Sequence, residues 1–279
     1  MTELDFSIVV PVFNAEPFLE RCLRSLIQQT YPADRYEIIV VDNNSSDRSA
    51  AITAKFHPVK LLHEAEQGSY AARNTGVRAA RGEVVAFTDP DCEVQADWLE
   101  NIYRAIEHSE VGIVLGDRQF GGDADVLGML AAYESSVGAR IFTTQKVDCY
   151  YAYTNNMAVR MSLLKFLGGF RHLQRGADTL FLKAAVAREG PSTVHYAADV
   201  VVRHLEISRV ADYLRKKGIY GRVDGKRGVA NRRALPLAER VELALRINRE
   251  FGVSIATNIG FLGSLAAGAV RFEWEMRRP

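Results

Sequence analysis

The sequence predicts an open α/β fold, with a mostly parallel sheet flanked by helices and a helical C-terminal appendage. Three observations carry this. Short apolar runs rich in β-branched residues alternate with helix-period segments from Ser7 to Thr88. Polar residues (Asn14, Asp42, Asp89 and Asp91) stand where those runs end. From Ile207 the pattern is helical apart from one Gly/Arg-rich loop. Strand–helix alternation implies parallel pairing with helices on both faces, because each crossover must return the chain to the same end of the sheet.

Residues 7–13 (SIVVPVF) form an apolar run that reads as a buried strand. Residues 16–29 place Leu19, Leu23 and Leu26 on one face and read as a helix. Residues 37–41 (EIIVV) are a second strand, ended by Asp42, and 46–56 a second helix. A third strand over 59–62, an Ala-rich helix over 69–80 and a fourth strand over 83–88 follow, the last ended by Asp89. The second half is less regular. It suggests a helix over 96–108, a strand over 112–115, a helix over 124–138, an extended segment over 148–154, a helix over 178–188 and a strand over 193–203. From Ile207 the reading is helical, interrupted by a Gly/Arg-rich loop over 218–233.

A chain of 279 residues, 48% hydrophobic, can bury one large core and carry an appendage. The net charge of +1 points to no nucleic-acid partner, but its distribution is uneven. Residues 203–249 hold 13 Lys or Arg against 5 Asp or Glu, so the rest of the chain is acidic. Three widely spaced cysteines argue against a disulfide framework or a zinc site. The first residues, with Glu3 and Asp5, run into a strand rather than reading as a signal peptide. Residues 253–270 are apolar but broken by Ser, Thr, Asn and Gly, too impure for a membrane span. The expectation is a cytoplasmic enzyme, with peripheral contact to the inner face of a membrane through the C-terminal region left open against packing of that helix on the rest of the chain.

In an open parallel sheet, ligands bind beyond the C-terminal ends of the strands. Asn14, Asp42, Asp89 and Asp91 stand at those ends. In the triplet Asp89-Pro90-Asp91, two carboxylates two residues apart on one turn can face the same hard cation, Mn²⁺ or Mg²⁺, beside phosphate oxygens. A solvated acidic turn is the competing reading. Dinucleotide binding is excluded, because the first turn, PVFNAEPF, has no glycine to admit a pyrophosphate.

VVPVFN at 9–14, EIIVVDNNSSD at 37–47 and GSYAARNTGVRAARGEVVAFTDPDC at 68–92 resemble, in order and spacing, the family 2 glycosyltransferases of the Rossmann-like GT-A fold. TNNMAVR at 154–160 and GGFRHLQRGADTLFLKAAVAREG at 168–190 extend the resemblance across about the first 205 residues. It implies a nucleotide-sugar donor, typically UDP-linked, a divalent metal, and a sugar, lipid-linked or small-molecule acceptor. It places the turn of Val12, Phe13 and Asn14 by the nucleoside, Asp42 on the base, Arg73 by the base or diphosphate, and Asp89 on the ribose or metal. Asp91 would meet the metal and Asp178 would match the catalytic base of an inverting transfer. His204 stands near a histidine that often meets metal or diphosphate, with a structural role equally open.

The chain departs from the family pattern at Cys92, where a third acid is frequent, at Ala177, where Glu often precedes the catalytic Asp, and at Pro90. The Q-x-x-R-W signature of processive synthases is absent. The expected organisation is a catalytic domain over 1–205, with a nucleotide-sugar half over 1–115 and an acceptor half over 116–205, then a basic helical region over 206–279. Asn155 and Asn156 are open between sugar contacts and local capping, and Asp178 between base and helix cap. Two rival functions stand: a sugar-1-phosphate nucleotidyltransferase, disfavoured because no Gly-rich basic loop follows the first strand, and a non-catalytic nucleotide-binding module, disfavoured because Asp89, Asp91 and Asp178 are all present.

Overall fold

All seven residues of the first strand, β1 (Phe6–Val12), are buried, as its β-branched, two-faced apolar pattern requires. The structure is a computed structural model that describes residues 4–121, 125–227 and 235–276. The chain divides into two compact units: Met1–Asp117 with Tyr151–Arg203, and Arg118–Tyr150 with His204–Pro279.

In the first unit α1 (Glu16–Ile27) returns the chain to β2 (Tyr36–Asp42), and a short α2 (Ser49–Thr53) leads to β3 (Val59–His63). Next come α3 (Ser69–Ala79), β4 (Val84–Thr88), β5 (Cys92–Val94), α4 (Trp98–Ile106) and β6 (Ile113–Gln119). The unit resumes with β7 (Asn156–Arg160), α6 (Met161–Leu167), α7 (Ala177–Glu189) and β8 (Val194–His204). The eight strands lie in one mostly parallel sheet, in the order β3-β2-β1-β4-β7-β6-β8-β5. β1 runs parallel to β2 and β4, whereas β7 is antiparallel to β4 and β6. The register pairs Val12 with Asp42, so the first two strands end level and their loops open on the same side. A core of β1, β2, β4, α1 and α4 side chains, with Trp98 fully buried, holds those ends in place.

Three elements differ from the sequence reading. The segment 148–154, read as extended, is not extended at its start. A 3₁₀ turn covers Val147–Cys149 and the strand begins at Asn156. The backbone of Ala152 is satisfied by a side chain instead, its N–H donating to Thr179 Oγ1 at 3.1 Å. The predicted helix over 46–56 shrinks to one short helix, because Asp47 and Asn14 draw the loop into other hydrogen bonds. The glycines from Gly218 do not open a loop. α8 (Val210–Arg227) runs through them, and residues 228–233 of the expected loop lie outside the described residues.

The second unit contains α5 (Val126–Thr143), α8, α9 (Leu237–Phe251) and α10 (Ile255–Met276). Gly218 lets α8 and α10 approach: a Cβ there would lie 2.6 Å from Arg271 Nε. Glu134 of α5 takes Lys217 Nζ at 2.6 Å and the Tyr213 hydroxyl at 2.8 Å. Lys146 and Arg140 bind Glu239 of α9. No helix among the described residues is long and apolar enough to cross a membrane.

Candidate active site

The strand ends and the α3 helix build the site. Gly68, with φ of 151°, is the N-cap of α3 and donates its N–H to Asn43 Oδ1 at 2.7 Å. Asn43 Nδ2 also donates to the carbonyls of Glu64 and Glu66, so one side chain fixes the whole β3–α3 connection. Asn14 is equally occupied. It sits at φ 48°, and its Oδ1 accepts the Ser46 N–H at 2.8 Å, tying the β1–α1 loop to the β2–α2 loop. Of the turn's other expected nucleoside contacts, Val12 is buried and Phe13 is 52% exposed.

Asp42 closes β2 and is buried, yet only one of its oxygens is engaged. Oδ2 accepts the Ser45 N–H at 3.4 Å and lies 3.6 Å from His63 Nδ1. Oδ1 has no hydrogen-bond partner among the described residues. A buried carboxylate oxygen without a donor is costly, and a ligand N–H would relieve it.

Arg73 projects from α3, is 4% exposed, and pairs with Asp89 Oδ1. Its Nη1 donates to Ser69 O at 3.3 Å, while its buried Nε has no partner among the described residues. Asp89 begins the turn after β4, where its carbonyl accepts the Cys92 N–H at 3.0 Å and the Cys22 thiol at 3.5 Å. Asp91 is half-buried and accepts the Cys92 thiol at 3.8 Å. Cys92 therefore braces the carboxylate from inside the core rather than standing as a third acid. The turn offers carboxylate oxygens, the donor type that suits Mn²⁺ or Mg²⁺.

Asp178 lies in the first turn of α7, with Gly176 rather than Asp178 as the N-cap. Its Oδ1 accepts the Thr179 N–H at 2.8 Å. Burial pushes its carboxyl above the usual range, against the Thr179 N–H, the Arg73 charge, the Tyr70 hydroxyl and the Thr154 N–H, which all pull it down. The loop that leads into α7 is clasped by α3: Asn74 Nδ2 donates to Phe170 O at 2.8 Å, and Phe170 N–H donates back to Asn74 Oδ1 at 2.9 Å.

Asn156 belongs to the sheet. Its Nδ2 donates to Asp117 O and Val200 O, and its Oδ1 accepts the Trp98 indole N–H at 2.9 Å. Asn155 keeps a buried Oδ1 with no partner among the described residues. His204 is the last residue of β8 and is buried. Lys216 is bound by Glu206, and Lys217 by Glu134. The other basic residues from Arg222 to Arg233 lie outside the described side chains.

Tyr70 and Asn74 escape a reading by strand ends. Their signal is a polar set, Tyr70, Arg73 and Asn74, at helix spacing i, i+3, i+4 on the buried face of α3, where an apolar stripe is expected.

Residues 7–168 match the model of glycosyl transferase family 2. The chain belongs to that family. It is 32% identical over 211 residues to the glycosyltransferase AglE of Haloferax volcanii, 71% of this chain and 66% of that protein. It is 34% identical over 119 residues to a poly(ribitol-phosphate) beta-glucosyltransferase of Bacillus spizizenii, 40% of this chain and 19% of that protein. The family 2 chain thus spans less than two thirds of either relative's length. The mannosyltransferase PcManGT from Pyrobaculum calidifontis, in complex with GDP-Man and Mn²⁺, shares the fold at a TM-score of 0.65 and 19% identity, over 99% of this chain and 88% of its own. TarS residues 1–349 of S. aureus, in complex with UDP-GlcNAc, shares it at 0.56 and 19%, over 98% and 83%. Those two neighbours hold different nucleotides, so the fold does not choose the base.

Proposed function

We propose that this family 2 chain is an inverting, non-processive glycosyltransferase, moving a sugar from a UDP-sugar to an acceptor hydroxyl in the assembly of a cell-envelope polysaccharide or glycolipid. The observation that carries it is the pair of buried acids at the sheet's open end. Asp42 presents an unengaged oxygen, and Asp178 is held at the start of α7 with its carboxyl pushed up by burial. Uracil N3–H is a donor, so it matches Asp42 Oδ1; adenine presents an acceptor at the corresponding ring position and does not. Val12 and Phe13 flank the nucleoside, Asn14 holds their turn, and Arg73 Nε reaches the base or diphosphate.

Asp178 takes the proton of the acceptor hydroxyl as that oxygen bonds to the anomeric carbon from the face opposite the diphosphate. The carbon–oxygen bond to the diphosphate breaks, its electron pair leaving with UDP. Asp91, with Asp89 and His204, would hold Mn²⁺ or Mg²⁺, which when bound neutralises charge on the diphosphate. The acceptor hydroxyl belongs to a sugar, a lipid-linked intermediate or a small molecule, and Asn155 Oδ1 is available to it. Peripheral contact with the inner face of a membrane, from the cytoplasm, would serve a lipid-linked acceptor.

The test is a panel of UDP-, GDP-, dTDP- and ADP-sugars scored for nucleoside diphosphate release, with Mn²⁺, with Mg²⁺ and with chelator. UDP release that needs metal is expected. A clear preference for another base sinks the UDP assignment, and pyrophosphate release instead sinks sugar transfer.

A further inference from the structure

Two adjacent asparagines lie at the start of β7, and the fold uses the side chain of one. Asn156 is saturated: Nδ2 donates to Asp117 O and Val200 O, and Oδ1 accepts the Trp98 indole N–H. Asn155 is also buried, at 8% exposure, yet its Oδ1 has no hydrogen-bond partner among the described residues. Its main chain is held independently, because Thr88 Oγ1 donates to the Asn155 carbonyl at 3.1 Å. A buried amide oxygen without a donor costs stability, and a hydroxyl brought by a ligand removes that cost.

The place of Asn155 says which hydroxyl. Antiparallel pairing sets Asn156 of β7 across from Thr88 of β4, so Asn155 falls beside Asp89, one step further on. The same segment is tied to α7: the Ala152 N–H donates to Thr179 Oγ1 at 3.1 Å, and that hydroxyl donates back to Ala152 O at 3.5 Å. Thr179 directly follows Asp178. The segment therefore bridges the donor-side acid and the base. In a single displacement the acceptor enters opposite the departing diphosphate, so the ring of the transferred sugar occupies the interval between those two acids. The sheet order agrees. Across β2, β1, β4 and β7 stand Asp42 for the base, the turn of Asn14, Asp89 for the ribose and then Asn155.

We propose that Asn155 is a specificity-determining residue, its Oδ1 accepting a hydrogen bond from a hydroxyl of the sugar under transfer. A carbonyl oxygen carries two lone pairs, so this contact leaves one for the acceptor hydroxyl. A donor that lacks the hydroxyl leaves the oxygen orphaned, which is how a site built around a hydrogen bond rejects a near-isostere. This inference rests on the nucleotide-sugar reading above.

The test is calorimetry without acceptor, so that only contacts to the donor are read. It uses the nucleotide sugar that releases most nucleoside diphosphate in the panel above, that nucleoside diphosphate alone, and analogues of the sugar with one hydroxyl at a time replaced by hydrogen. Wild type should bind one analogue about tenfold more weakly than the parent donor. Asn155→Ala should bind the parent about tenfold more weakly, show no further loss for that analogue, and keep nucleoside diphosphate affinity within about twofold. Its melting temperature should stay near wild type, because Oδ1 holds nothing in the fold. A penalty for every poor analogue that persists in Asn155→Ala overturns the contact, and so does a wild type indifferent to all analogues. A lowered melting temperature with unchanged discrimination makes Asn155 structural and overturns it too. Should no nucleotide sugar in the panel release its nucleoside diphosphate, the transferase reading falls and the inference with it. An active wild type beside an Asn155→Ala unchanged in every affinity removes Asn155 alone.

Discussion

A carboxylate at 8% exposure with its pKa pushed up is poorly placed for stability and well placed to accept a proton. Asp178→Asn separates these two aspects, because the amide oxygen can still accept the Thr179 N–H but cannot take a proton at neutral pH. Transfer should fall by about 10²–10⁴-fold with nucleotide binding intact. Retention of more than about a tenth of kcat would place the base elsewhere. Stability should move the other way. The folded pKa of Asp178 is raised, so its favourable contribution is complete below the unfolded value, about 3.9, and is lost as pH rises through the folded value. The Asn variant should therefore melt at or above wild type at pH 7, with the difference shrinking on acidification. A variant less stable than wild type at pH 7 contradicts this. Asp42→Ala should remove preference for UDP over ADP in calorimetry with Mn²⁺, leaving diphosphate affinity; an unchanged ratio would show that Oδ1 faces no base. Asp42, Asp89, Asp91 and Asp178 are legible in the sequence because each terminates or opens an apolar element. Tyr70 is not, because a tyrosine inside a helix reads as core. What distinguishes it is a partner 106 positions away, the Gly176 N–H that its hydroxyl accepts, which no local pattern encodes.

The same limit applies to elements. The parallel strands β1, β2 and β4 could be read directly, since burial on both faces demands continuous apolar runs, whereas β3 is an edge strand with no buried residue. The segment 148–154 reads as extended, its tyrosines being apolar and β-prone, but it opens in a 3₁₀ turn, its Ala152 N–H is taken by the Thr179 side chain, and no strand is formed there. Gly218 suggests the start of a loop, whereas it lies inside α8 against Arg271 of α10. α3 illustrates how much an element can do beyond its propensity. Asn74 satisfies both backbone groups of buried Phe170, and Asn74→Ala leaves an N–H and a C=O without partners. The cost should be about 2 kcal/mol or more in urea unfolding, since each orphaned buried group costs about 1–3 kcal/mol. Gly76→Ala should cost about 1–3 kcal/mol by overpacking, because its Cβ would lie 2.4 Å from Val9 Cγ1. A loss below about 0.5 kcal/mol for either variant would show that α3 can shift, against the rigidity on which its role depends.

At the scale of the whole molecule, charge and apolarity are unevenly placed. The basic excess of residues 203–249 is partly spent inside the second unit, on Glu206, Asp212 and Glu134. The exposed face of α10 has the opposite character. Ile259 is 67% exposed, Leu262 42%, Val270 68% and Trp274 54%. From Gly252 to Val270 the sequence has no charged residue, and Arg271 follows. A helix with one face packed and an opposite face that is apolar and charge-free as far as Val270, then carries Arg271, Glu273 and Trp274, suits the boundary of an anionic bilayer. Each basic residue near such a surface adds about 1 kcal/mol, and that share is screened by salt. Full-length protein should therefore float with phosphatidylserine-containing liposomes at low salt, and the bound fraction should fall at high salt without vanishing. Ile259→Glu with Val270→Glu places two charges on the exposed face without touching packed positions. The double variant should keep its melting temperature and donor turnover and lose flotation. Absence of wild-type flotation at low salt rules the membrane role out, and a switch from dimer to monomer in the double variant would assign the face to a second copy of the chain instead.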